Sequence, residues 1–221
     1  MYDLEAGTPI DVLENRTQAE LRAYLDALPL QTCQQMTEVC IDMWRPYATV
    51  VAEKLAHARL VVDRFHVMKV VNADLNALKN ELKKALPEDA TACQYPLLKN
   101  EKDLTEKQQT MLEQVYTASP QLKNAHQLKE EFRKIFETDQ TVKQGQKALR
   151  HWLEKAKQAK LFSDAVKTIE NWFQPIINYF AQRTTNGPAE GMNNKMKLIK
   201  RMADGFRNFE NFRLRILAAF L

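Results

Sequence analysis

Met36-Thr37-Glu38-Val39-Cys40-Ile41, followed by Asp42-Met43-Trp44-Arg45-Pro46-Tyr47, is the stretch on which the fold reading turns. An apolar, β-branched run that stops at an acidic residue reads as a short strand. The Arg-Pro-Tyr after it reads as the opening of a helix to about His57. Leu60-Val61-Val62 is a second such run, stopped by Asp63. Arg64-Phe65-His66 then leads into Val67, Val70, Val71, Leu75, Leu78 and Leu82 at helical spacing. Strand–helix–strand–helix order predicts a parallel α/β sheet, with Asp42 at a carboxyl strand end where open sheets place their ligand crevice. An Asp there also serves as a turn former or helix cap, so position alone leaves both roles open.

Working outward, Pro9-Ile10-Asp11-Val12-Leu13-Glu14 alternates apolar and polar residues as a half-buried strand does. Thr17-Gln18-Ala19-Glu20 reads as a capping box opening a helix through Leu28, closed by Pro29. From Pro87 to Phe180 the pattern is helical, with breaks expected at Pro87, around Asn100, at Ser119-Pro120 and at Pro175. Within it Leu149, Trp152, Leu153, Ala156, Ala159 and Phe162 form a core stripe. The fold expected is α/β with a large all-α insertion, mostly helical overall.

The chain has 221 residues, 45% hydrophobic and 27% charged, enough for one or two cores. It holds neither an apolar run of about 18 residues nor a signal-peptide pattern, so a membrane is not an expected partner and a cytoplasmic location is expected. Cys33, Cys40 and Cys93 lack metal-site spacing and are read as buried, reduced thiols.

Charge is distributed unevenly along the chain. From Arg183 onward there are 8 Lys+Arg against 3 Asp+Glu, whereas residues 1–182 hold 24 against 25. Such clustering points to nucleic acid, because each cation that neutralises a phosphate releases a counterion. On a helix beginning near Thr185-Asn186-Gly187-Pro188, Glu190, Asn193, Asn194, Lys197, Lys200 and Arg201 recur at three- and four-residue steps. This face can clamp a phosphate backbone, with Lys195 beside it. A solvated basic helix is the other reading. In Gly205-Phe206-Arg207-Asn208-Phe209-Glu210-Asn211-Phe212-Arg213, the Phe residues, with Leu214, Ile216, Leu217 and Phe220, are expected in a core. Arg207, Asn208 and Arg213 are expected exposed, as candidates for DNA contact. Trp44 and Tyr47 read as packed on the sheet, with stacking on a splayed base as the alternative.

Four ordered segments carry a resemblance: Ile41–Tyr47, Val62–Val67, Thr185–Asn194 and Gly205–Arg213. Together they resemble the ISL-three family of bacterial insertion-sequence transposases over nearly the whole chain. The resemblance implies a DDE core with an RNase H-like fold, whose two Asp and one Glu hold Mg²⁺, or Mn²⁺ in its place, to cleave and join DNA strands. It makes Asp42 the second catalytic carboxylate and metal ligand, Glu190 the third, and Asp63 with His66 a supporting D-x-x-H signature. Asn193 and Asn194 support the Glu190 motif. Lys195, Lys197, Lys200, Arg201, Arg207 and Arg213 are DNA-binding candidates.

The first carboxylate has no match, since Tyr2–Gly7 corresponds to the end of the family's second strand. The expectation is therefore an N-terminally truncated core: residues 1–72 partial α/β core, 73–180 helical insertion, and 181–221 the C-terminal part carrying Glu190. The implied partner is double-stranded DNA at transposon ends, with a homo-oligomer, no nucleotide cofactor, and nucleoid association when bound. Two carboxylates hold Mg²⁺ weakly, so the chain alone is expected to be catalytically inactive. The alternative is a non-catalytic DNA-binding or dimerising remnant that regulates an intact transposase, and a third reading is the inert product of a decayed gene.

Overall fold

The strand–helix–strand run of residues 36–62 forms as expected in the computed structural model, which describes residues 1–83 and 94–220. The chain divides into two compact units, residues 1–63 with 184–221, and residues 64–183. The sequence places its boundaries at 72 and 180. The described residues are mostly helical, with two separate two-stranded sheets.

The discontinuous unit opens with β1 (Tyr2–Asp3) and β2 (Thr8–Pro9), an antiparallel hairpin turning through Gly7 at φ 69°. The longer strand expected at residues 9–14 does not form. Past Pro9 the chain folds back so that Ile10 N–H donates to Met1 C=O at 3.0 Å, and Asp11 turns inward to an ion pair. Ile10 is therefore exposed while Val12 is buried.

Next come α1 (Gln18–Ala27) and α2 (Leu30–Gln35), the second of which the sequence pattern does not foretell. Thr17 caps α1 by accepting from Glu20 N–H at 3.2 Å. The reciprocal half of the expected capping box is redirected, because the Glu20 carboxylate accepts from Glu14 N–H at 2.5 Å and Asn15 N–H at 2.7 Å.

Strands β3 (Glu38–Ile41) and β4 (Arg59–Val62) pair in parallel, Ile41 opposite Val62, across α3 (Arg45–Lys54). Leu21 and Leu25 of α1 meet Val50, Val51 and Leu55 in one apolar cluster. Burying five such side chains is worth roughly 1.5–3 kcal/mol each before conformational entropy is subtracted. Cys33 and Cys40 are free thiols but half-buried rather than buried, and Cys93 lies outside the described residues.

The helical unit contains α4 (Arg64–Leu82), α5 (Gln94–Leu98), a 3₁₀ turn (Glu101–Asp103), α6 (Glu106–Ala118), α7 (Pro120–Glu137), α8 (Val142–Gln158), α9 (Ser163–Asn171) and α10 (Phe173–Gln182). The break expected at Pro87 lies outside the described residues. Pro120 follows the Ser119 cap of α7, as its missing N–H allows. Pro175 breaks nothing. It sits in the first turn of α10, where no intrahelical donor is required, and the chain turns at Trp172 instead.

Helix α4 packs on α7 and α9, and α8 packs on α7 and α10. Leu149, Trp152, Leu153, Ala156 and Phe162 are buried, while Ala159, just past the end of α8, is half-buried. The Trp152 indole N–H donates to Leu128 C=O at 2.7 Å. Phe162 stands at φ 59° ahead of α9 and supplies no cap, so Asp74 of α4 takes that role. It accepts from Asp164 N–H at 3.1 Å and Ala165 N–H at 2.9 Å.

Candidate nucleic-acid interface and carboxylate site

Asp42 follows the last residue of β3, where Trp44 N–H donates to its carbonyl at 2.6 Å and tightens the turn into α3. Its side chain is 41% exposed and lies 3.5 Å from Arg16. Nothing in the sequence marks Arg16, which stands 26 residues away and meets Asp42 only through the fold. The guanidinium also lies over the Trp44 ring, 4.4 Å from its centroid, and 5.8 Å from that of Tyr47. Both aromatic residues are half-buried and pack edge to face, with centroids 4.5 Å apart. Burial pushes the Tyr47 hydroxyl up, opposed by the Arg16 charge.

Asp63, at the end of β4, is 1% exposed. Its Oδ2 accepts from Asn186 N–H at 2.5 Å and from the Thr185 hydroxyl at 3.2 Å, while Gly187 N–H donates to that hydroxyl at 3.2 Å. One residue earlier the Thr184 hydroxyl donates to Glu38, whose other oxygen pairs with Arg59 at 3.5 Å. Asp63 thus fastens the turn that launches α11 (Gly187–Met202), a helix with no side-chain cap of its own. Burial first, then the charges of Asp63, Glu38 and Asp42, push the Cys40 thiol up to about 12. Three carboxylates therefore make their field felt at β3. His66 is half-buried in the first turn of α4.

Helix α11 buries Met192 and half-buries Met196 and Ile199. The opposite side presents half-buried Glu190 and exposed Asn193, Asn194, Lys197, Lys200 and Arg201. Glu190 in the first turn and Lys200 with Arg201 in the last complement the helix dipole. Lys195 leaves this face. Its ammonium donates to Ala219 C=O at 2.5 Å and lies 4.0 Å from the Phe220 centroid, beyond α12 (Phe209–Ala218).

Arg207 is exposed, whereas Asn208 caps α12 by accepting from Asn211 N–H at 3.1 Å. Arg213 forks onto Asp11 at 2.5 and 2.9 Å and reaches Glu210 at 2.8 Å, leaving its side chain 28% exposed. The Asp11 hydrogen bond chiefly raises the Arg213 pKa. Burial pushes Asp11 up, but the Arg213 hydrogen bond, the Val12 N–H, the Arg213 charge and the amino terminus together hold it below the ordinary carboxylate range. Of the apolar residues expected in a core here only Ile216 is buried; Phe206, Phe209, Phe212, Leu217 and Phe220 are half-buried, and Leu214 is 53% exposed. It lies two residues, about 200° of helix, from fully buried Ile216.

Divalent magnesium requires several oxygen ligands converging on one point. Among the described residues no group of three or more His, Cys, Asp or Glu is placed to hold a metal ion. One Asp63 oxygen is engaged by the Thr185–Asn186 turn. The residues present do not complete a magnesium centre. The arrangement does provide an exposed cationic helix face and two partly exposed carboxylates.

A family profile described as a transposase matches residues 1–216. The transposase for insertion sequence element IS1001 of Bordetella parapertussis is 26% identical over 214 residues, covering 93% of this chain and 52% of that protein. The transposase for IS1557 of Mycobacterium tuberculosis is 26% identical over 237 residues, covering 94% and 53%. The chain therefore spans about half the length of these curated relatives. A local match of 41% identity over 56 residues joins 25% of the chain to 18% of a Lactococcus lactis protein named ATP-dependent protease, too little to carry an argument. No solved structure matches significantly. With the match running over nearly every residue of both units, the chain belongs to the ISL3 family of DDE transposases.

Proposed function

We propose that this chain acts in DNA transposition by holding the backbone of duplex DNA on the basic face of α11, beside carboxylates that serve strand cleavage and transfer in an RNase H-like catalytic core. The observation that carries the reading is the exposed row of Asn193, Asn194, Lys197, Lys200 and Arg201, on a helix that carries Glu190 in its first turn and is fastened by Asp63. Amide and cationic side chains on one face suit phosphate oxygens, which position DNA without reading its sequence.

Asp42 and Glu190 are the carboxylates assigned to the reaction, with Mg²⁺ the metal and Mn²⁺ its substitute. When bound, the metal supplies charge stabilisation to the attacking and leaving oxygens. The described residues do not complete its site, so no step is assigned to this chain alone. The same observation favours a second reading, a DNA-binding module without strand-transfer activity.

Duplex DNA binding measured across a salt series tests the first statement. Replacing Lys197, Lys200 and Arg201 with Gln is expected to weaken binding and flatten the dependence of log K on log salt by roughly 0.9 for each phosphate no longer neutralised. Unchanged binding would remove α11 from the interface. Adding Mg²⁺ separates the two readings. Nicking that Asp42→Ala abolishes supports an enzyme, and binding without nicking supports the module.

A further inference from the structure

We infer that Arg16 is a second DNA-phosphate contact, placed at Asp42 and held ready by stacking. The inference rests on the transposition reading above and goes beyond it by naming a positioning residue outside the segments that carry the family resemblance. Three observations converge. The loop backbone just ahead of Arg16 is pinned, because Glu20 accepts from Glu14 N–H at 2.5 Å and Asn15 N–H at 2.7 Å, and Thr17 caps α1 immediately after it. The guanidinium is laid against Trp44 and Tyr47, 4.4 and 5.8 Å from their centroids, which restrains its plane. The remaining 57% of the side chain is exposed, and its contact with Asp42 is a single approach at 3.5 Å.

An ion pair of that length between two partners each more than a third exposed is weak in water. A phosphate offers the guanidinium two oxygens in the geometry of its fork, a stronger partner than one distant carboxylate oxygen. Stacking preserves the cation while leaving the N–H edge available. Arg16 thus fits a backbone phosphate of a strand brought to Asp42.

The test is duplex-oligonucleotide binding across a salt series for the wild-type chain, Arg16→Gln, Arg16→Lys and a Lys197→Gln/Lys200→Gln control, with thermal unfolding of each. Arg16→Gln is expected to bind roughly tenfold more weakly, and its salt slope to fall by about 1. Arg16→Lys is expected to regain the slope while recovering only part of the affinity, since an ammonium keeps the charge without the fork. An Arg16→Gln chain that binds like the wild type while the α11 control loses affinity overturns the inference and leaves the transposition reading intact. Loss of affinity with an unchanged slope overturns it too, by assigning Arg16 a structural role. A wild-type chain with no salt-sensitive DNA binding overturns both.

Discussion

Asp63 works through the backbone of a segment 122 and 123 residues further along the chain. Because the carboxylate is buried, removing it leaves the Asn186 N–H and Thr185 hydroxyl without that acceptor. Asp63→Ala is expected to cost the unit about 1–3 kcal/mol, read as a lower urea midpoint in Trp44 fluorescence. An unchanged midpoint would mean that the turn stands without the carboxylate. Cys40 reports on the same neighbourhood. With its thiol pushed up to about 12, it holds almost no thiolate at pH 8, so iodoacetamide should alkylate it far more slowly in the folded chain than in the denatured one. Equal rates would contradict that environment. At this scale the sequence showed Asp42 and Asp63 at strand ends, since an apolar run that stops at an acid is a local signal. It could not show Arg16 at Asp42 or Arg213 on Asp11, 26 and 202 residues apart, because such pairs exist only once the chain has folded.

Among the elements, β3, α3, β4 and α4 were legible because each follows its own period. Thr105 with Gln108 and Thr141 with Gln144 form complete capping boxes at α6 and α8, local signals that would have fixed both helix starts. The cap of α9 was beyond reach, as Asp74 stands 90 residues from the first N–H it accepts. Packing between α8 and α10 yields a sharp prediction. A Cβ on Gly145 would lie 2.6 to 2.8 Å from three ring atoms of Phe180. Alanine in a helix ordinarily gains up to about 1 kcal/mol over glycine, yet here overpacking should reverse the sign and cost about 1–3 kcal/mol. Phe180→Leu in the same chain should recover part of the loss, and a stabilised Gly145→Ala would show that the ring can move aside.

Helices α5, α6 and α7 also meet through buried polar groups. Lys129 donates to Leu97 C=O at 2.9 Å and Lys99 C=O at 2.8 Å, and lies 3.2 Å from His126, whose other ring nitrogen lies 2.7 Å from the Tyr116 hydroxyl. Burial, then the charges of Lys129 and Arg133, hold the His126 pKa down to about 3, against 6.5 for the free side chain. Below pH 6.5 the unfolded chain takes up a proton that the folded chain refuses, so stability falls as pH drops from 6.5 towards 3. The limit is about 1.4 kcal/mol per pH unit. His126→Gln should flatten that part of the urea-midpoint profile. An unaltered slope would mean that other groups account for it.

For the whole molecule, folding regroups the charge that the linear count assigns to one end. Residues 1–63 hold 5 basic and 10 acidic residues, and 184–221 hold 7 and 3, so the unit they form together is nearly neutral. Residues 64–183 hold 20 and 15. The positive face of α11, which the count by chain position pointed to, is therefore a local feature of a balanced unit. Two compact units should unfold in two steps. Trp44 reports on one, Trp152 and Trp172 on the other, and tryptophan-to-phenylalanine variants isolate each signal. Distinct urea midpoints are expected, and coincident ones would describe a single cooperative molecule.

The interrupted unit also sets a timetable for synthesis. Residues 64–183, all contiguous, can fold as they leave the ribosome. Residues 1–63 must wait for 120 further residues before the segment that completes their unit begins to be made. At about 5–20 residues per second, that is roughly 6–24 s. Throughout that interval Asp11 lacks Arg213 and Asp63 lacks the Thr185–Asn186 turn, so the nascent chain holds two buried-to-be carboxylates in water.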